Sequence, residues 1–259
     1  MLLSRLLWHK VPLVNSFLCF SLLALPQAVR AESFALVRSN DFSTPLNSSE
    51  WNIYNNSPFG SSSNTCFKDS NSFTKSGLLN LVINLVPNSC PRLYSSGGLD
   101  TYLYNAQNYG KWEVRARFPA GTGVTGYIGL FVADGSSWPP EIDFAEVIGR
   151  DPTALYLSQH YTLSGSNQND TFKYTQARTD WTAGYNTYIL EWVPGQLRYY
   201  VNGSLVLTQT QKFDLPVSGM KLAIGTGTGD CGSWVDCPSS KFQSAKMLVD
   251  YVKIYQYIP

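Results

Sequence analysis

The chain has 259 residues, with 19 Lys and Arg against 18 Asp and Glu and only 14% charged residues. That length admits one large all-β domain or two smaller ones. Near-neutral charge leaves no basic footprint for nucleic acid or an anionic membrane surface, and the charged fraction lies below the roughly 25% common in soluble proteins.

The opening "MLLSRLLWHKVPLVNSFLCFSLLALPQAVRA" sets Arg5 and Lys10 ahead of a mostly apolar run and ends in Val29-Arg30-Ala31. This is the pattern of an export signal, with cleavage expected after Ala31. A membrane anchor is the competing reading, but Pro12 and Asn15 interrupt a run that is already short for a span. The expected organisation is a signal peptide over 1–31 and one domain over 32–259, secreted or periplasmic, with no stable membrane association once the signal is gone. The signal removes Arg5, Lys10 and Arg30 and no acid, so 16 bases face 18 acids and the mature charge is −2.

Four cysteines remain after the signal: Cys66, Cys90, Cys231 and Cys237. An even count in an exported chain suggests disulfides. Three connectivities exist; the preferred one closes the "CGSWVDC" loop with Cys231–Cys237 and joins Cys66 to Cys90. Zinc is disfavoured, because there is no Cys-x-x-Cys pair and only one mature histidine.

Helical periodicity is absent, whereas short runs rich in Val, Ile, Tyr and Phe recur between Gly, Pro, Asn and Ser clusters. In order they are "LLNLVINLV", "KWEVRARF", "GYIGLFVA", "EIDFAEVI", "LYLSQHYT", "TYILEWV", "QLRYYVN", "SLVLTQ", "KLAIG" and "MLVDYVKIYQ". Pro194-Gly195 and Asn202-Gly203 mark two consecutive hairpins. About ten strands without an internal linker predict two packed antiparallel sheets in one domain. The polar segment "NSSEWNIYNNSPFGSSSNTC" reads as a surface loop.

The stretch "EIDFAE" puts Glu141, Asp143 and Glu146 in an otherwise apolar strand. Alternation places Glu141 and Asp143 on one face and Ile142 and Phe144 on the other, but sends Glu146 into the core. A β-bulge near Ala145 would reset the alternation and bring all three acids to one face. Two carboxyls so placed, roughly 5 to 5.5 Å apart, suit glycoside hydrolysis with retention. Crowding of like charges would keep one of them protonated. The bland alternative is an edge strand whose acids pair with surface Lys or Arg.

"EIDFAE" resembles the Glu-x-Asp-x-x-Glu active-site strand of glycoside hydrolase family 16. "YGKWEVRARFPAGTG", "YNTYILEWVPGQLRYYVNG", "MLVDYVKIYQ" and "DFSTPLNSSEW" are similar to other segments of that family, so the resemblance covers nearly the whole mature chain. It implies a β-jelly-roll sandwich with a concave substrate cleft. It also implies Glu141 as nucleophile, Glu146 as general acid/base and Asp143 as the carboxylate that orients the pair. His160 falls where the family often presents a histidine beside the catalytic row, although a lone histidine is more often structural.

Trp138 before the double proline is expected to stack on a sugar, with a sheet-edge cap as the alternative. Trp192 and Trp234 are weaker substrate-binding candidates, core and rim being their other readings. Asp250 resembles a position that supplies a ligand to a structural calcium in many members; a salt bridge is the equal alternative. No cofactor is required for the chemistry.

The bulged spacing favours laminarinase-like and galactan-cleaving relatives, and a β-1,3-glucan or mixed β-1,3/1,4-glucan is the expected polysaccharide, attacked internally by a monomer. Many β-1,3-glucan-cleaving members carry aromatic bulk where this chain has Thr125 and Gly126, so a more open cleft is expected. The alternatives are a transglycosylase or galactan-cleaving hydrolase of the same fold, a non-catalytic carbohydrate-binding module, and a structural wall protein.

Overall fold

The computed structural model describes residues 32–59, 64–85, 92–102 and 106–259. The signal peptide expected over 1–31 and Cys90 lie outside them. The described strands begin with β1 (Ser33–Asn40), β2 (Trp51–Ile53), β3 (Thr65–Phe67), β4 (Ser72–Lys75), β5 (Leu78–Leu85), β6 (Tyr94–Ser96), β7 (Gly98–Thr101) and β8 (Gly110–Arg117). They continue with β9 (Val124–Val132), β10 (Glu141–Ile148), β11 (Ala154–Leu163), β12 (Ser166–Thr175), β13 (Asn186–Val193), β14 (Gln196–Val201), β15 (Ser204–Thr210), β16 (Met220–Thr228) and β17 (Ser244–Ile258). A single 3-10 turn at Asp69–Asn71 is the helical element among the described residues.

One sheet runs β15-β14-β13-β8-β17-β5-β6-β3, with β1 also on β17 and β4 on β5; the other runs β12-β11-β10-β9-β16-β7-β2. The pairing is antiparallel as expected, except that β3 and β6 are parallel. Alternation accounts for the core. On β8 Trp112, Val114 and Ala116 are buried, on β13 Tyr188, Leu190 and Trp192, and on β10 Ile142 and Phe144, all within one cluster between the sheets. Truncating one large aromatic there costs about 3–5 kcal/mol.

Both predicted hairpins form. β13 and β14 meet at Val193↔Gln196, with β14 and β15 meeting at Val201↔Ser204. The second turn needs positive φ at both central residues, which Asn202 (50°) and Gly203 (81°) supply.

Several strands were not legible. β12, "SNQNDTFKYT", is polar and largely exposed, yet pairs with β11 in unbroken register from Ala154↔Thr175 to Leu163↔Ser166. An outer strand needs backbone partners on one side only, so its composition carries no apolar signal. The segment expected to be a surface loop is corrected as well: it contains β2, whose Trp51 is fully buried, and it leads into β3.

Candidate active site

β10 is a central strand of the seven-stranded sheet, between β9 and β11. Against β9, Asp143 faces Gly129 while Ala145 faces Ile128, so two steps on β10 match one on its neighbour. Against β11, Asp143 faces Ser158 and Glu146 faces Tyr156. This is the expected bulge, at Phe144–Ala145. Both of those side chains join Ile142 and Val147 in the core, leaving Glu141, Asp143 and Glu146 to line one cleft of about 460 Å³.

The residues around the acids explain their electrostatics. Gly129 lies beneath Asp143, and a Cβ there would come within 2.8 Å of Asp143 Oδ1; its missing side chain gives the carboxylate room over β9. His160, opposite Glu141 in the register, brings Nε2 to 3.2 Å from Asp143 Oδ2. The Trp138 indole Nε1 donates to Glu141 Oε2, and its ring lies 5.7 Å from that of His160. Glu146 is flanked across the two ladders by Tyr127 and Tyr156.

Burial is the first cause of every shift in the cluster. It pushes Glu141 up to about 8, helped by the neighbouring Asp143 charge and opposed by the Trp138 indole and His160. Burial likewise raises Asp143 to about 7, partly offset by its hydrogen bond with Glu141. Glu146 is raised well above the ordinary range by burial and by both other acids. Three carboxyls crowded in one cleft do not all ionise near neutral pH; the cluster holds protons.

The expected site residues divide. Trp138 and Trp234 are 54% and 44% exposed, and both line the cleft with His160 and the acids. Trp192 does not: it is 0% exposed, stacks on Trp112 at 6.2 Å and donates to Gln211 Oε1 at 2.7 Å. Its place on β13 turns it into the space between the sheets, so the substrate-binding reading is corrected to core.

Asp250 is the extra residue of a bulge between Val249 and Tyr251 on β17, and Arg115 Nη1 holds its carboxylate. A guanidinium on the carboxylate repels a cation, so the calcium expected there does not fit the residues around it. Among the described residues the one set of three grouped potential metal ligands is Glu141, Asp143 and His160, with ligating atoms within 4.8 Å of one another. His160 Nε2 and the Trp138 indole N–H already contact Asp143 and Glu141 within that group. Cys231–Cys237 is bonded as preferred. Cys66 is also disulfide-bonded, while the Cys90 expected to join it lies outside the described residues.

Sequence reading missed one wall. Where Thr125 and Gly126 predicted an open cleft, Phe59, Phe67, Tyr127 and Phe131 form an aromatic side, with Phe59–Tyr127 and Tyr127–Phe131 centroids both 6.0 Å apart. Phe59 arrives from the amino-terminal segment and lies over Gly227, where a Cβ would meet its ring. The alternation of Tyr127 and Phe131 on "GYIGLFVA" could have signalled half of this wall. Nothing local marks Phe59.

A sandwich with three acids aligned by a bulge in one cleft has the form of a glycosidase site, and comparison with known proteins bears on that form. The profile of the glycosyl hydrolases family 16 matches residues 59–253, and the chain belongs to that family. It is 33% identical over 165 residues to an endo-1,3-1,4-beta-glycanase, EglC, of Rhizobium meliloti (strain 1021), a match covering 62% of this chain and 33% of that one. A keratan-sulfate endo-1,4-beta-galactosidase of Sphingobacterium multivorum is 30% identical over 195 residues, covering 68% and 44%. The match thus spans only a third to under half of these relatives' length. The fold is that of a prokaryotic beta-1,3-1,4-glucanase (lichenase) from a mouse hindgut metagenome, with a TM-score of 0.74 at 22% identity over 87% of this chain and 100% of that one.

Proposed function

We propose that the protein is a retaining endo-glycoside hydrolase acting on a β-1,3- or mixed β-1,3/1,4-glucan. The observation that carries this reading is the bulge at Phe144–Ala145, which turns Glu141, Asp143 and Glu146 into one cleft against the strand's own alternation. Glu146, flanked by Tyr127 and Tyr156 and pressed by two other carboxyls, holds its proton and delivers it to the departing glycosidic oxygen. Glu141 attacks the anomeric carbon. It attacks as the carboxylate: burial and the Asp143 charge hold a proton on Glu141, and the Trp138 indole N–H favours the anionic oxygen once that proton is released.

Attack forms a glycosyl ester on Glu141, and the loss of that negative charge lowers the pKa of Glu146. Glu146 then takes a proton from water, which attacks the anomeric carbon and releases the sugar with its configuration retained. His160, at 3.2 Å from Asp143, orients the middle acid. The aromatic side of Phe59, Tyr127 and Phe131 offers ring faces to the glycone. β-Glucan as substrate is supported by the names of the relatives, and export by the opening of the sequence.

Reducing-sugar release from laminarin, lichenan, agarose, carrageenan and xyloglucan, with NMR of the first anomer formed, tests this. Cleavage of a β-glucan with the β-anomer first, lost in Glu141→Gln, is expected. An α-anomer first, or undiminished cleavage by Glu141→Gln, would sink the mechanism. Agarose or carrageenan cleavage alone would move the substrate to galactans.

A further inference from the structure

A separate hollow opens beyond Trp138. At about 520 Å³ it exceeds the catalytic cleft, with which it shares no lining residue. It lies where the β9–β10 connection, the end of β11 and the β15–β16 connection meet: Pro139 and Pro140 line it from the first, Thr162 from the second and residues 212–218 from the third. Two links tie it to the cleft. Trp138, which donates to Glu141, is the chain neighbour of Pro139. Thr162 follows His160 on one face of β11, roughly 7 Å further along the strand.

The walls of this hollow are set by contacts within the fold. Ala133 N donates to Gly219 O and Gly219 N to Pro216 O, each at 3.0 Å, and Asn108 Nδ2 donates to Pro216 O at 2.9 Å, so the two connections hold each other. A site held in this way takes a ligand at little ordering cost. Its chemistry is mixed. Ser137 and Ser218 offer hydroxyls beside the Asp134 and Asp214 carboxylates, while Pro139 and Pro140 offer C–H surface. A sugar ring presents the matching pair, with hydroxyls round its edge and C–H groups on its faces.

Charge decides which sugar. Lys212, the one cation among the lining residues, is already held by Asp170 at 2.6 Å and lies 5.3 Å over the Tyr161 ring. The Ser136 hydroxyl and backbone N–H hold the Asp134 carboxyl below its ordinary range, so it stays ionised in neutral solution. The hollow therefore carries net negative charge. It repels a sulfated or uronic-acid sugar and accepts a neutral one, whose hydroxyls donate to the carboxylates.

Resting on the β-glucan reading given above, we propose that this hollow is a second, non-catalytic site for a neutral glucosyl residue of the polysaccharide, holding the substrate at a point outside the cleft. That residue comes either as a branch on the chain in the cleft or from a separate stretch of glucan, and the same groups bind it in both cases.

The test sets the full-length protein beside Asp214→Ala, which removes an exposed acceptor, and Ser137→Leu, which replaces a hydroxyl with apolar bulk. Each is assayed on branched laminarin, on a linear β-1,3-glucan of similar length and on laminaritetraose, which has no second segment to offer. Thermal unfolding confirms that both variants fold. The ratio of kcat/KM on laminarin to that on laminaritetraose is expected to fall about fivefold in each variant, as for one lost hydrogen bond, and to fall through KM. A loss confined to laminarin identifies a branch, and an equal loss on the linear polymer identifies a separate stretch. A ratio unchanged in both variants, or a fall carried by kcat, overturns the proposal. Failure of wild type to cleave any of the three substrates overturns instead the glucan-hydrolase reading on which it rests.

Discussion

The outer face of the ten-stranded sheet and the cleft face of the seven-stranded sheet both carry acids on strands, yet treat them in opposite ways. On the outer face Glu191 lies 3.7 Å from Arg198, Glu113 lies 3.7 Å from Lys253, and Asp250 is held by Arg115. In the cleft, among the described residues, neither Glu141, Asp143 nor Glu146 forms an ion pair with Lys or Arg; only His160 approaches Asp143. Withholding a counter-charge from buried acids costs stability and raises their pKa, which is the state an acid catalyst requires.

Breaking the cleft side gives the largest effect. Glu146→Gln is expected to lower kcat by roughly 10²–10⁴-fold and Glu141→Gln by at least as much, with Asp143→Asn less damaging than either; steady-state kinetics on the β-glucan checks the order. Equal inertness of Asp143→Asn and Glu141→Gln would remove the division of roles between them.

The tryptophans provide a second contrast. Trp192→Ala, which empties a fully buried site, is expected to destabilise by about 3–5 kcal/mol. Trp138→Ala is expected to change stability by only about 0.5 kcal/mol, as for surface positions, while losing activity. Denaturant unfolding beside kinetics separates the two; loss of stability in Trp138→Ala comparable to that in Trp192→Ala would contradict the placement of the cleft.

The unpaired acids also predict a dependence of stability on pH with a definite sign. Glu141 titrates near 8 when folded and near 4.5 when unfolded, so between those values the folded state binds more protons. Stability then falls as pH rises through that window. Glu141→Gln removes the penalty, and its Tm should exceed that of wild type at pH 8, by about 2–4 °C for each kcal/mol recovered. The two should converge near pH 4. A Tm difference independent of pH would show that the substitution acts through packing instead.

The smallest effect lies on the outer face. Arg115 and Asp250 are each about one-third exposed, and Asp250→Asn is expected to cost about 0–1 kcal/mol, as exposed pairs do. Melting with calcium and with EDTA tests the ion pair directly. A calcium-dependent rise in Tm that Asp250→Asn abolishes would restore the cation to that site.

Much of the cleft was legible because its signal was local. Glu141, Asp143 and Glu146 fall within six residues, and their spacing conflicts with a two-residue period unless a bulge intervenes. Long strands with one buried face were legible for the same reason, and Asn202-Gly203 revealed its turn. β12 was not, because an outer strand can be polar throughout, and β2 is too short at Trp51–Ile53 to show a period.

What the amino-acid sequence determined by itself was therefore the all-β class, the family resemblance, the bulged strand and the Cys231–Cys237 loop, each a matter of residues close together in the chain. Tertiary structure alone decided which tryptophans line the cleft and which fill the core, because Trp192 turns inward from β13 while Trp138 and Trp234 stand on loops that the fold brings to the cleft. It also decided that Arg115 reaches Asp250 and that Phe59 closes over Gly227. Those contacts join residues more than one hundred positions apart, and side-chain period within a strand carries no information about a partner so distant.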